Sequence, residues 1–160
     1  MGVGRSAPSI GIGDAIAVLD AFHVVKLGTA ALDEVRRRVQ QDIHGHRGRA
    51  GDPLYRIRNI LRAGVENLTE RQQHRLDAAI AADDRHDEVW VAWQCAQRVR
   101  AVYHQNDPAT GKALAEQILA GFPSCPIPEI ARLGKTLRTW RDAFLGYFAT
   151  GGANNGGTEA

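Results

Sequence analysis

The chain has 160 residues, 44% of them apolar and 24% charged, with a net charge of +2. That length supports one domain with its own core, the composition excludes a disordered or fibrous chain, and so small a net charge does not by itself call for a nucleic-acid partner. Cys95 and Cys125 lack a CxxC spacing and argue against a disulfide framework or a zinc site, while no segment has signal-peptide character or the ~20 apolar residues of a membrane span, so a cytoplasmic location without a membrane partner is expected.

In chain order, residues 1–13 are Gly-rich and aperiodic and read as a disordered lead-in. Residues 15–19, AIAVL, form a short apolar run that ends at Asp20 and fits a buried strand. The period then becomes helical: Val24, Val25, Leu27, Leu32, Val35 and Val39 recur every three or four residues, with Arg36, Arg37 and Arg38 expected to point outward and a stop expected near Gly45. A basic, Gly-rich loop follows. Asp52 and Pro53 supply an N-cap and a first-turn proline for a short helix carrying Leu54, Ile57, Ile60 and Leu61.

Thr69 and Gln72 have the spacing of a capping box and open a helix with Leu76 and Ile80 on its apolar side. The string DDRHDE, residues 83–88, breaks it and reads as a solvated turn. A helix is expected from Asp87 to Gln105, another after Asp107-Pro108, a proline-rich linker over 122–128, and a last helix from Pro128 to Ala149. Trp90, Trp93, Trp140, Phe144 and Phe148 fall on helical stripes and are expected in the core. Six helices and one strand result, and a lone strand cannot satisfy its own backbone groups without partners.

Charge is unevenly spread. Arg36 to Arg62 holds eight Arg against Asp42 and Asp52, whereas Glu66 to Glu88 holds seven acids against three Arg. A basic face of that kind is able to meet phosphate; the alternative is a solvated helix surface. His44 and His46, with Arg47 and Arg49, sit in the basic loop and are read either as phosphate contacts or as a mobile loop. Asp20 ends the expected strand, where open α/β sheets place ligand groups, although an Asp there also serves as the cap of the next helix. His23, three residues on, is read as a capping or packed histidine, with metal or phosphate contact as the alternative.

The strings VLDAFHVVKLG, LDEVRRRVQQD, HRGRAGDPLYRIR, LTERQ, VAWQ, LGYF and TGGANNGGTEA, in that order over residues 18–160, resemble the ISL-three family of bacterial insertion-sequence transposases, a DDE-type family. The departures are mild: Ala21 stands where the family often has Pro, and Asn154 where it often has Ser. The resemblance implies that Asp20 is the second acid of the catalytic triad and Glu159 the third, both ligands of Mg²⁺ (or Mn²⁺). Carboxylates of that kind hold two divalent ions that clamp the attacking and leaving oxygens of phosphoryl transfer. It further implies that the intervening residues are the helical insertion of an RNase H-like catalytic domain.

The fold expectation is therefore a mainly α chain: lead-in over 1–13, a residual core strand over 14–20, a helical insertion over 21–150, and a loop with the Glu motif over 151–160. The functional expectation is an internal transposase fragment, short of the first catalytic Asp and inactive alone, whose parent activity is metal-dependent DNA cleavage and transfer. DNA is the expected partner, with Arg47, Arg49, Arg56 and Arg58 as its contacts, and a second copy or an intact transposase is a further one. The alternative is a non-enzymatic helical module that binds DNA or intact transposase.

Overall fold

The computed structural model describes residues 18–150, and all regular structure among them is helical. The α-helices are α1 (Ala21–His44), α2 (Pro53–Arg56), α3 (Arg58–Arg62), α4 (Glu70–Ala81), α5 (Asp87–Ala101), α6 (Pro108–Gly121), α7 (Pro128–Thr139) and α8 (Arg141–Ala149). Short 3-10 turns at 65–67, 84–86 and 122–124 join them.

The central element is α1. Asp20 starts it by accepting the His23 N–H on Oδ1 at 2.8 Å, and Gly45 ends it at φ 78, a left-handed cap whose N–H returns to the Gln41 carbonyl. Between the caps Val24, Gly28, Ala31, Leu32, Val35 and Val39 are buried in one stripe. Against it lies α5, with Val99 beside Gly28 and Val89, Ala92 and Trp93 also buried, and α7 lies on another flank. Helix α6 packs against α5, α7 and α8. At the far end α2 and α3 pack on α1 and α4 packs on α2 and α3, with Leu54, Ile60, Leu61 and Leu76 all buried.

The capping box is formed: Thr69 accepts from the Gln72 N–H at 3.1 Å, and the Gln72 side chain accepts from the Thr69 N–H at 3.0 Å. Thr69→Ala removes one of these bonds and is expected to cost about 1 kcal/mol of stability, measurable by urea denaturation. A cost below the error of that measurement would mean that α4 is held by packing alone.

Several sequence expectations are corrected. The expected helix over Pro128–Ala149 is two helices that break at Trp140, whose ψ of 26 interrupts the ladder while its N–H still reaches the Thr136 carbonyl. The break lets α7 lie on the 122–124 turn while α8 packs on α6. The helix after Pro53 is likewise split at Ile57, and that after Asp87 ends at Ala101. Trp90 is 40% exposed, because it flanks the inward stripe that Trp93 occupies, and Trp140 is half-buried; neither is a core residue. Arg36 does not point outward: it is 4% exposed, with Nε and Nη2 donating to Asp33 Oδ1 at 3.2 and 2.8 Å and Nη1 to the Gln40 side-chain oxygen.

The 83–88 turn is not wholly solvated. His86 is buried with Nδ1 2.7 Å from the Ala79 carbonyl oxygen, and Glu88 pairs with Arg38. Val18 and Leu19 carry no strand; the Leu19 N–H donates to the Ala143 carbonyl at 3.0 Å. The rest of the expected strand, the 1–13 lead-in and the Glu159 loop lie outside the described residues.

Candidate carboxylate site and nucleic-acid interface

Asp20 sits in the N-cap position of α1, so its side chain is aimed by the helix itself. The His23 backbone N–H, foremost, holds its carboxyl below the ordinary value, while partial burial works against that. His23 Nδ1 lies 3.2 Å from Oδ2, and the His23 ring is largely solvent-exposed. The cap reading of Asp20 therefore holds, and a charged, one-third exposed carboxylate with spare lone pairs is still free to accept a further partner. Asp20 also lies close enough to Tyr103 to add to the upward push on that phenol, which comes first from burial. Tyr103, just after α5, meets Tyr147 edge-on at 4.9 Å and stacks on Phe148 at 6.2 Å, so the end of α5 and the end of α8 share one aromatic cluster.

A divalent ion of the Mg²⁺ kind is held by several oxygens, commonly one or two carboxylates with waters and phosphates. Asp20 fits one such ligand by charge and exposure. Among the described residues no group of three His, Cys, Asp or Glu side chains is placed to hold a metal ion together.

The basic loop 45–52 is folded down onto α1. Gly48 has φ +128, and a side chain there would collide with the Gln40 amide and lie 2.8 Å from the Tyr55 ring, so only glycine fits. Its N–H donates to His46 Nδ1 at 3.2 Å, and the Arg49 N–H to Asp52 Oδ2 at 2.8 Å. The rings of His44 and His46 stack at 5.4 Å. These bonds leave the side chains of Arg47 and Arg49 exposed, and neither makes an ion pair among the described residues.

The four arginines expected to meet DNA are not gathered in one place. Arg47 opens on a concavity with Arg37, Arg38 and Arg132. Arg56 opens on another with Pro53, Arg75 and Ala79. Arg58 lies over the Tyr55 ring at 3.9 Å and donates to the Tyr55 carbonyl at 2.8 Å, half-buried. Arg37 belongs to the basic run already seen in the sequence, whereas nothing local marks Arg132 as a neighbour of α1: it pairs with Glu34, 98 positions away.

No helix of the described residues is long and apolar enough to cross a membrane. Comparison with curated proteins and with solved structures gives no significant match. A family model described as a transposase, of the DDE-type ISL-three class, matches residues 8–160, nearly the entire chain. The chain therefore belongs to the DDE-type ISL-three transposase family.

Proposed function

We propose that this chain contributes the second and third catalytic acids, Asp20 and Glu159, and the helical insertion between them, to metal-dependent DNA cleavage and transfer in transposition. The observation that carries the reading is the meeting of the two ends of the helical body. The Leu19 N–H, just before α1, donates to the Ala143 carbonyl in the first turn of α8, the last helix of the described body, at 3.0 Å. An insertion in an RNase H-like core has to leave and return at one place. Nine residues lead from Thr150 to Glu159, a reach of at most ~30 Å, enough to bring Glu159 back toward Asp20. Divalent ions, Mg²⁺ or Mn²⁺, would stabilise the charge that develops on the phosphate and its two in-line oxygens. DNA, in the cytoplasm, is the substrate in this reading, with Arg47, Arg49, Arg56 and Arg58 among its phosphate contacts.

Asp20→Asn separates the two roles of that residue, because Asn caps a helix as well as Asp does but lacks the charge a metal needs. In a complete transposase containing this segment, Asp20→Asn and Glu159→Gln are each expected to abolish Mg²⁺-dependent strand cleavage while leaving the melting temperature unchanged. Cleavage at the wild-type rate in either variant would remove the assignment. The 160-residue polypeptide alone is expected not to nick DNA, since it offers two identified acids where the centre uses three.

A second reading, a non-enzymatic module that binds DNA or an intact transposase, is favoured by the exposed Arg47 and Arg49, whose side chains carry no ion pair among the described residues.

A further inference from the structure

Three arginines from three separate elements converge on one open concavity of about 600 Å³. Arg37 comes from α1, Arg47 from the 45–52 loop and Arg132 from α7, and Gln41 adds an amide one turn beyond Arg37. The frame around them is fixed. Arg38, at the same concavity, is tied to Glu88 on α5 and Glu129 on α7, and the loop is seated by Gly48 against Gln40 and Tyr55.

The cations are poorly neutralised. Arg47 makes no ion pair among the described residues. Arg37 has Asp33 at 3.5 Å, but that single carboxylate also serves Arg36 at 2.8 Å and Arg62 at 3.6 Å. Arg132 is held by Glu34 at 2.9 Å, and the two side chains are 63% and 43% exposed. An exposed pair of that kind is weak and exchanges readily for a better anion. Guanidinium forks match phosphate oxygens two bonds at a time. An open concavity of this size, lined by cations from three elements with Glu34 as its one acid, has room for more than one phosphate.

We infer that Arg37, Arg47 and Arg132, with Gln41, grip the sugar-phosphate backbone of duplex DNA, and that Glu34 holds Arg132 until a phosphate displaces it. The inference rests on the reading that the chain acts on DNA. It assigns to this face a contact that positions the helical body on the duplex without reading bases, and it makes Glu34 a brake on that contact.

The test is binding of a short random-sequence DNA duplex, followed by fluorescence anisotropy across a salt series. Arg37→Ala and Arg132→Ala are each expected to weaken binding and to lower the slope of log affinity against log salt by about one. Glu34→Gln is expected to tighten binding several-fold by releasing Arg132, a gain that misfolding cannot imitate. Unchanged binding in Arg37→Ala and Arg132→Ala, with loss in the combined Arg49→Ala, Arg56→Ala and Arg58→Ala variant, would overturn the inference and leave the DNA reading standing. Absence of DNA binding by the wild-type chain at low salt would overturn both. Tighter binding of a polyglutamate peptide than of the duplex would also overturn it, in favour of an acidic protein partner.

Discussion

Phe122→Ala is expected to cost about 3–5 kcal/mol, the range for emptying an aromatic side chain from a packed core. Phe122 is 2% exposed at the junction where α6 passes into the 122–124 turn. The turn packs closely on α7, and the Arg98 guanidinium lies 5.2 Å from the Phe122 ring centre. On the other side the chain approaches Gly134 so closely that a Cβ there would stand 2.6 Å from Phe122 Cβ and 2.5 Å from the Pro123 nitrogen. A total stability of roughly 5–15 kcal/mol is usual for a domain, so this one substitution removes a large share. Gly134→Ala is expected to cost about 1–3 kcal/mol by overpacking the same contact. Phe122→Ala will not rescue it, because the atoms in the way are a Cβ that alanine keeps and a backbone nitrogen. Urea denaturation of the two single variants and the double variant checks both statements; rescue in the double variant would show that the ring, not the backbone, sets the approach.

Arg38→Ala is the second large effect, about 3 kcal/mol, the low end for breaking a buried ion pair. Arg38 joins three helices: its Nε and Nη2 donate to Glu129 Oε2 and Oε1 at 2.7 and 2.9 Å, and Nη2 also meets Glu88. The Glu129 side chain is 8% exposed, so truncating Arg38 leaves a buried carboxylate without its cation. The low end of the range applies because Arg38 itself is partly open to water. The pH dependence has a definite sign. Hydrogen bonds from Arg38, above all, hold the Glu129 carboxyl below its ordinary value of 4.5. Its contribution is therefore complete above that value and is lost as pH falls through the depressed folded value. The difference in stability between wild type and Arg38→Ala should be constant near neutrality and shrink below about pH 4.5. A difference that persists undiminished at lower pH would mean that Arg38 acts through its packing, not its charge.

The helices of this chain were legible because their signals are local. The Val24, Leu32, Val35 and Val39 stripe and the Thr69–Gln72 box lie within a few turns of chain and survive intact. So does the Asp107 cap, which accepts the Thr110 N–H at 2.8 Å. The family was legible for a different reason: its motifs are strings, and a string needs no tertiary structure to be recognised. Charged side chains were not legible. Arg36, Arg37 and Arg38 are consecutive and look alike in the sequence, yet one is buried on Asp33 and Gln40, one opens on a concavity, and one ties three helices together. Trp90 and Trp93 differ in the same way, three residues apart on one helix and on opposite sides of the burial boundary.

The sequence by itself determined the caps that open α1, α4 and α6 and the Gly45 stop of α1, and it was enough to recognise the transposase family. A cap or a stripe depends only on neighbours three or four residues away. Tertiary structure alone decided which charges meet. Coulombic attraction and desolvation depend on distance in space, and Glu34 and Arg132, or Arg38 and Glu129, become neighbours only after α1 and α7 have packed. The same packing brought Leu19, just before α1, against Ala143 in the first turn of α8.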